Sequence, residues 1–179
     1  LLVAGGMFDL AGFTQSIGNL SLSGGAISGG SLISAGSIEL SNGVVDAALG
    51  GAGALIKTGS GTVVLNAANG YLGGTVMSEG VLQLSAAGAL GVNGSLAAVG
   101  GTLRLGDLTQ SVASLVLGGS LGAATIEQGT LGAQFFDLRA GVVDARLEGD
   151  GQLVKNGAGT VLLARENAYT GGTTINEGS

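Results

Sequence analysis

The chain has 179 residues, 38 of them Gly, with no Pro, Cys, Trp or His, only 10% charged residues and a formal net charge of −6. A hydrophobic content of 45% is too high for a disordered linker, and abundant Gly without Pro or a three-residue period excludes a collagen-like helix. Without His or Cys there is no Ser-His-Asp or Cys-His catalysis, no disulfide staple and no thiolate metal site, and the 6 basic residues are scattered singly, leaving no stripe for nucleic acid or an anionic membrane surface.

Along the chain the pattern predicts short strands. Alternating segments run over Ser37-Ile38-Glu39-Leu40, Thr62-Val63-Val64-Leu65, Val81-Leu82-Gln83-Leu84, Thr102-Leu103-Arg104-Leu105, Ser114-Leu115-Val116-Leu117 and Gln152-Leu153-Val154-Lys155. In the last of these Leu153 is expected to point inward, and Gln152 and Val154 outward. Glycine pairs and Asn-Gly steps punctuate the strands, at Gly24-Gly25, Asn42-Gly43, Gly73-Gly74 and Gly118-Gly119. The best helical candidate, Ser85 to Leu90, is short. Mean hydropathy is +0.56. Even so, no run approaches the roughly 18 apolar residues of a spanning helix, and a membrane barrel would want aromatic girdles that 3% aromatics do not supply.

The chain also repeats itself. Val44 to Gly80 and Val142 to Gly178 align without a gap at 21 of 37 positions. A weaker pair, Leu10 to Leu22 and Leu105 to Leu117, carries Thr-Gln-Ser in both copies, at an offset a few residues smaller. The difference implies a small insertion at a turn between the blocks. Evenly spaced strands suit a sandwich, a barrel or a solenoid, and the long repeat with few aromatics favours the solenoid. At roughly 20 to 25 residues per turn, about 7 to 9 turns would give a rod roughly 35 to 45 Å long. We expect a single all-β segment, with one unit over about 8–100 (motif 51–80) and a second over about 103–179 (motif 149–178). The second copy of the motif breaks off where the first continues, so the segment reads as a piece of a longer protein.

The motif is Gly53, Leu55, Lys57, Gly59, Gly61, Thr62, Leu65, Asn69, Tyr71, Gly73, Gly74, Thr75 and Gly80. In the second copy it is Gly151, Leu153, Lys155, Gly157, Gly159, Thr160, Leu163, Asn167, Tyr169, Thr170, Gly171, Gly172, Thr173, Ile175 and Gly178. It resembles the passenger-associated β-strand repeat of Gram-negative autotransporters, the type Va secreted proteins, and the first copy departs from that pattern at Leu72 and Met77. The resemblance implies a right-handed parallel β-helix in the stalk of a passenger that crosses the outer membrane through its own C-terminal barrel. It further implies a cell-surface or secreted location, a part in transport and folding, and display of a distal region, such as that of an adhesin. The implied partners are neighbouring turns of the parent chain and its translocator barrel, with sister passengers or host surface molecules beyond them; neither nucleic acid nor direct membrane insertion is implied.

Read as residues, Gly59-Ser60-Gly61 and Gly157-Ala158-Gly159 suit corners, where Gly59 and Gly157 can take positive φ. Asn69 and Asn167 suit a side-chain bridge across a turn or a stacked ladder. Lys57 and Lys155 are expected along the coil surface, each paired with a carboxylate. Asp46 and Asp144 share one repeat position and read as solvent-facing rather than as a catalytic pair. Tyr71 and Tyr169 read as packing against a turn rather than as sugar platforms. No catalytic residue, metal or cofactor is expected. The competing function is an adhesive surface that binds host or sister cells; a carbohydrate-active coil is a distant third.

Overall fold

The computed structural model describes residues 1–91, 93–119 and 122–179. Among them are 21 strands, all in one continuous sheet, and no helix. Every strand-to-strand pairing is parallel, and the strands stack as a β-solenoid of about nine turns. At about 4.8 Å per turn the rod is roughly 40 Å long.

Three ladders define three faces. On the first, Leu20, Ile38, Leu55, Thr75, Leu96, Leu115, Phe136, Leu153 and Thr173 lie directly above one another. On the second, Val44, Val64, Gln83, Arg104, Glu127 and Asp144 form one column. On the third, Thr109, Thr130 and Arg146 stack, and Gly50 stacks under Gly70. Steps along the first face are 17 to 21 residues, shorter than the spacing expected from sequence, because strands of three or four residues are joined by very tight corners. That places the rod at the upper end of the expected number of turns.

The first-face strands show why so short a repeat holds together. Ile38-Glu39-Leu40, Leu55-Ile56-Lys57, Thr75-Val76-Met77 and Leu96-Ala97-Ala98 each bury their first and third residues and turn the middle one out. Stacking then makes columns of like side chains inside the coil: Leu22, Leu40, Lys57, Met77, Ala98, Leu117, Leu138 and Lys155 form one of them. The core is a narrow aliphatic pile in which Leu40, Leu55, Val63, Leu65, Leu82 and Leu117 are fully buried. Leu153 is buried, Gln152 exposed and Val154 half-buried, as the alternation predicts.

Three departures from the sequence expectation have local causes. Ser85 to Leu90 forms a turn, not a helix, and occupies the level at which the third face has no strand. The first two turns are long continuous strands, Leu2–Ile17 and Leu20–Ser34, rather than short ones; they bend at residues with positive φ, including Gly6, Ala11, Gly12 and Gly25, where the ladder between them shifts register. The insertion lies between Leu117 and Ala124, a longer connection than the equivalent steps from Ala98 to Gly101 and from Leu138 to Gly141. Ser120 and Leu121 of that connection fall outside the described residues.

Candidate functional site

The two lysines of the motif, the only lysines of the chain, correct the sequence expectation most sharply. They do not lie on the surface. Lys57 is fully buried and Lys155 is 4% exposed. Each occupies the last, inward position of a first-face strand, so the pleat directs it into the core whatever its charge. Nor is either held by a carboxylate. The Lys57 ammonium donates to the carbonyls of Thr58 at 2.7 Å, Gly59 at 2.7 Å and Glu79 at 3.1 Å. Lys155 repeats the arrangement with Asn156 at 3.1 Å, Gly157 at 2.7 Å and Glu177 at 3.0 Å. Two carbonyls come from the corner just after the lysine and the third from the corner one turn on. Three N–H donors thus meet three acceptors, and the side chain fastens one turn to the next from inside. Burial lowers the Lys57 pKa, and the charge of Glu79 acts against that shift.

Two glycines of the motif follow from this cage. Gly59 (φ 65) and Gly157 (φ 73) reverse the chain at the corner that supplies the carbonyls. Gly80 and Gly178 sit against the ammonium itself: a Cβ there would come within 2.7 Å of the Lys57 Nζ and 2.8 Å of the Lys155 Nζ. Gly61 and Gly159 serve another purpose, close backbone approach, with a Cβ falling 2.8 Å from the Ser41 and Arg139 carbonyl oxygens. Thr62 and Thr160 are exposed at the head of the next strand. Leu55 and Leu153 fill the core beside the lysines.

The second half of the motif ties the third face. Asn69 is buried; its Oδ1 accepts from the Leu49 N–H of the turn before at 2.8 Å, and its Nδ2 donates to the Ala89 carbonyl of the turn after at 2.8 Å. One amide therefore spans three turns. Asn167 accepts likewise from Leu147 N–H at 2.8 Å, while its Nδ2 donates to Arg165 within its own turn. Neither forms an Asn ladder; each bridges. Tyr71 is fully buried, with its hydroxyl 2.7 Å from Thr75 Oγ1, and Tyr169 pairs with Thr173 at 2.8 Å. Tyr169 also packs against Phe136, ring centroids 5.8 Å apart. A ring enclosed in this way offers Tyr71 no face to a sugar. Gly73 and Gly171 pack against the backbone of the preceding turn, where a Cβ would lie 2.5 Å from the Ala54 and Gln152 nitrogens; Gly74 and Gly172 have positive φ.

Sequence reasoning missed several partners. Thr75 and Thr173 belong to the motif, and the sequence carries no sign of their hydrogen bond to the tyrosine. Gln110 of the Thr-Gln-Ser segment is 1% exposed and donates to the Ala86 carbonyl at 2.8 Å. Together with Asn69 it supplies hydrogen bonds to the 85–90 turn where no strand does. The available signal was a polar residue recurring in both copies at an inward position. Asp46 and Asp144 lie on the surface and reach one turn on, accepting from Asn66 at 2.6 Å and from Arg165 respectively.

Burial raises the Tyr71 hydroxyl pKa well above its ordinary value, with the Thr75 hydrogen bond opposing the shift. The folded-state value therefore exceeds the unfolded one. Its stabilisation is complete below about pH 10 and is lost as pH rises beyond that. The thermal midpoint is expected to fall as pH rises above about 10. Tyr71→Phe should flatten that fall while costing about 1 kcal/mol at neutral pH for the lost hydrogen bond; thermal melts across the range check both.

The motif residues do not converge on one pocket. Lys57 and Lys155 stand in the same column five turns apart, about 24 Å. Within each copy the residues act between neighbouring turns, and the arrangement defines a parallel β-solenoid rod braced from inside. The passenger-associated-transport-repeat family model matches residues 55–84 and 153–179. The chain thus carries two passenger-associated-transport repeats, and repeats and coil together fit the stalk of an autotransporter passenger. No curated protein and no solved structure matches the chain.

Proposed function

We propose that the segment is a structural stalk of an autotransporter passenger, at the cell surface or secreted, that assists transport and folding across the outer membrane and carries a distal functional region away from the cell. The observation that supports this reading is the internal bracing. The lysine of each repeat finds its third acceptor, and the asparagine its Oδ1 donor, only when successive turns are docked. Docking a motif turn therefore makes the chain harder to unravel, which suits a polypeptide that must fold after passing a pore and not slip back.

The test is surface display. The segment is placed between a signal peptide and an autotransporter barrel with an N-terminal reporter, and the doubly substituted Lys57→Ala, Lys155→Ala chain is compared with the unaltered one. Surface reporter is expected to fall severalfold with total expression unchanged. Undiminished display of a variant whose purified segment is measurably destabilised would contradict the transport role.

A further inference from the structure

The chain has Asn-Gly steps at Asn42, Asn69, Asn93 and Asn156. A glycine leaves its own backbone nitrogen unshielded by a Cβ, so these are the steps most open to attack of that nitrogen on the asparagine side chain. The coil treats them differently. Asn69 is buried with both ends of its amide bonded, to the Leu49 N–H and the Ala89 carbonyl. Asn156 donates to Asp137 at 3.0 Å and accepts from Asn176 at 2.8 Å. Asn42 is exposed, and its side chain makes no hydrogen bond among the described residues. Gly43, however, opens a strand opposite Val63 of the next turn, and its Cβ would fall 2.6 Å from the Gly25 carbonyl oxygen of the turn before.

Asn93 has none of these restraints. It is exposed and lies with Gly94 outside every strand. Neither its side chain nor the Gly94 N–H has a hydrogen-bond partner among the described residues. Its φ of 52° is one that residues with a side chain rarely hold.

We infer that Asn93 is a site of spontaneous covalent modification, with water as the co-reactant. The Gly94 backbone nitrogen attacks the Asn93 Cγ. The N–Cγ bond forms, the Cγ–Nδ2 bond breaks, and the Gly94 amide proton leaves with the side-chain nitrogen as ammonia. Water then opens the cyclic succinimide. Cleavage of the new N–Cγ bond gives aspartate; cleavage of the old peptide bond gives isoaspartate, whose main chain runs through Cβ and Cγ. Nothing is oxidised or reduced. At Asn69 and Asn156 the amide must first leave its partners, and at Gly43 the nitrogen must leave the ladder.

Either product changes the surface in place. Asn93 lines a groove together with Ser111, Gln134, Glu148 and Asp150, and a carboxylate at position 93 adds to its two acids. Isoaspartate also lengthens the connection between Val81–Leu84 and Leu96–Ala98 by a backbone atom. The change runs one way, so it accumulates with the age of the molecule, whatever the transport role of the stalk.

The test ages the purified chain in mildly alkaline buffer, folded and in guanidinium chloride. Each Asn-Gly step is then mapped by mass spectrometry with fragmentation that separates isoaspartate from aspartate. In the folded rod Asn93 is expected to convert roughly tenfold faster than Asn69 and Asn156, and severalfold faster than Asn42, with isoaspartate among the products; in denaturant the rates converge. Asn93→Gln, which sets the amide one bond further from the nitrogen, should remove the main acidic form from the folded protein. Conversion of Asn93 no faster than that of Asn69, conversion led by Asn42, aspartate without isoaspartate, or a spread of rates that persists in denaturant would overturn the inference.

Discussion

Lys57→Ala is expected to cost about 3 to 5 kcal/mol of stability, the range of a change that combines a core cavity with unsatisfied buried polar groups. The substitution empties a core position and leaves three corner carbonyls, those of Thr58, Gly59 and Glu79, without their donor. Lys57→Met separates the two contributions, because it restores most of the volume and none of the hydrogen bonds; it should recover only part of the loss. Lys155→Ala should cost less, because the neighbouring strand Val161–Leu163 is itself only partly buried. Urea unfolding followed by circular dichroism measures the series.

Gly53→Ala is expected to be at least as damaging, above about 4 kcal/mol, although it adds only a methyl group. A Cβ at Gly53 would sit 1.7 Å from the Gly36 carbonyl oxygen of the turn before. That oxygen is backbone and cannot swing aside, so the two turns must separate and give up their ladder. Gly70→Ala is the matched control: nothing lies within 4 Å of its Cβ position, and its effect should stay within about 0.5 kcal/mol. Thermal melts of the two variants side by side decide whether turn-to-turn contact, rather than glycine content, sets stability.

These two positions also show what the sequence could reveal. The strands at Thr62–Leu65 and Val81–Leu84 were legible residue by residue, because alternation of small aliphatics between glycine corners has few alternative solutions. The lysines depart from the sequence expectation for a physical reason. Alternation placed Leu153 inward, and the same period places Lys155 inward two residues later; the usual preference of lysine for water was allowed to outweigh it. Periodicity was the better guide, because a strand cannot turn one side chain over without turning its neighbours. The bridging by Asn69 was foreseen as one of two choices. Its second partner, Ala89, was not, because the irregular 85–90 turn that exposes that carbonyl has no signature beyond a short helix-like composition. The long bent strands of the first two turns were missed because their glycines read as breaks in a strand, whereas in a coil they are its corners.

The lysines and asparagines explain why the motif combines residues that no single pocket would use. Within about 30 residues it holds a cation for three carbonyls, an amide for neighbouring turns, a tyrosine plug latched by threonine, and glycines where turns touch. The lysine and the asparagine each also reach a neighbouring turn along the rod axis. The surface is thereby left free to vary, and the charged corner of Arg104, Glu127, Asp144 and Arg165 differs from the uncharged outward residues Ile56, Val76 and Ala97 of the first face without altering the core.

The central claim, that both motif lysines are sealed inside the coil, is tested most directly by amine modification of the native protein with mass-spectrometric mapping. The structure predicts that Lys57 and Lys155 resist an amine-directed reagent in native buffer and react fully in denaturant. Prompt labelling of either lysine in the folded rod would contradict it.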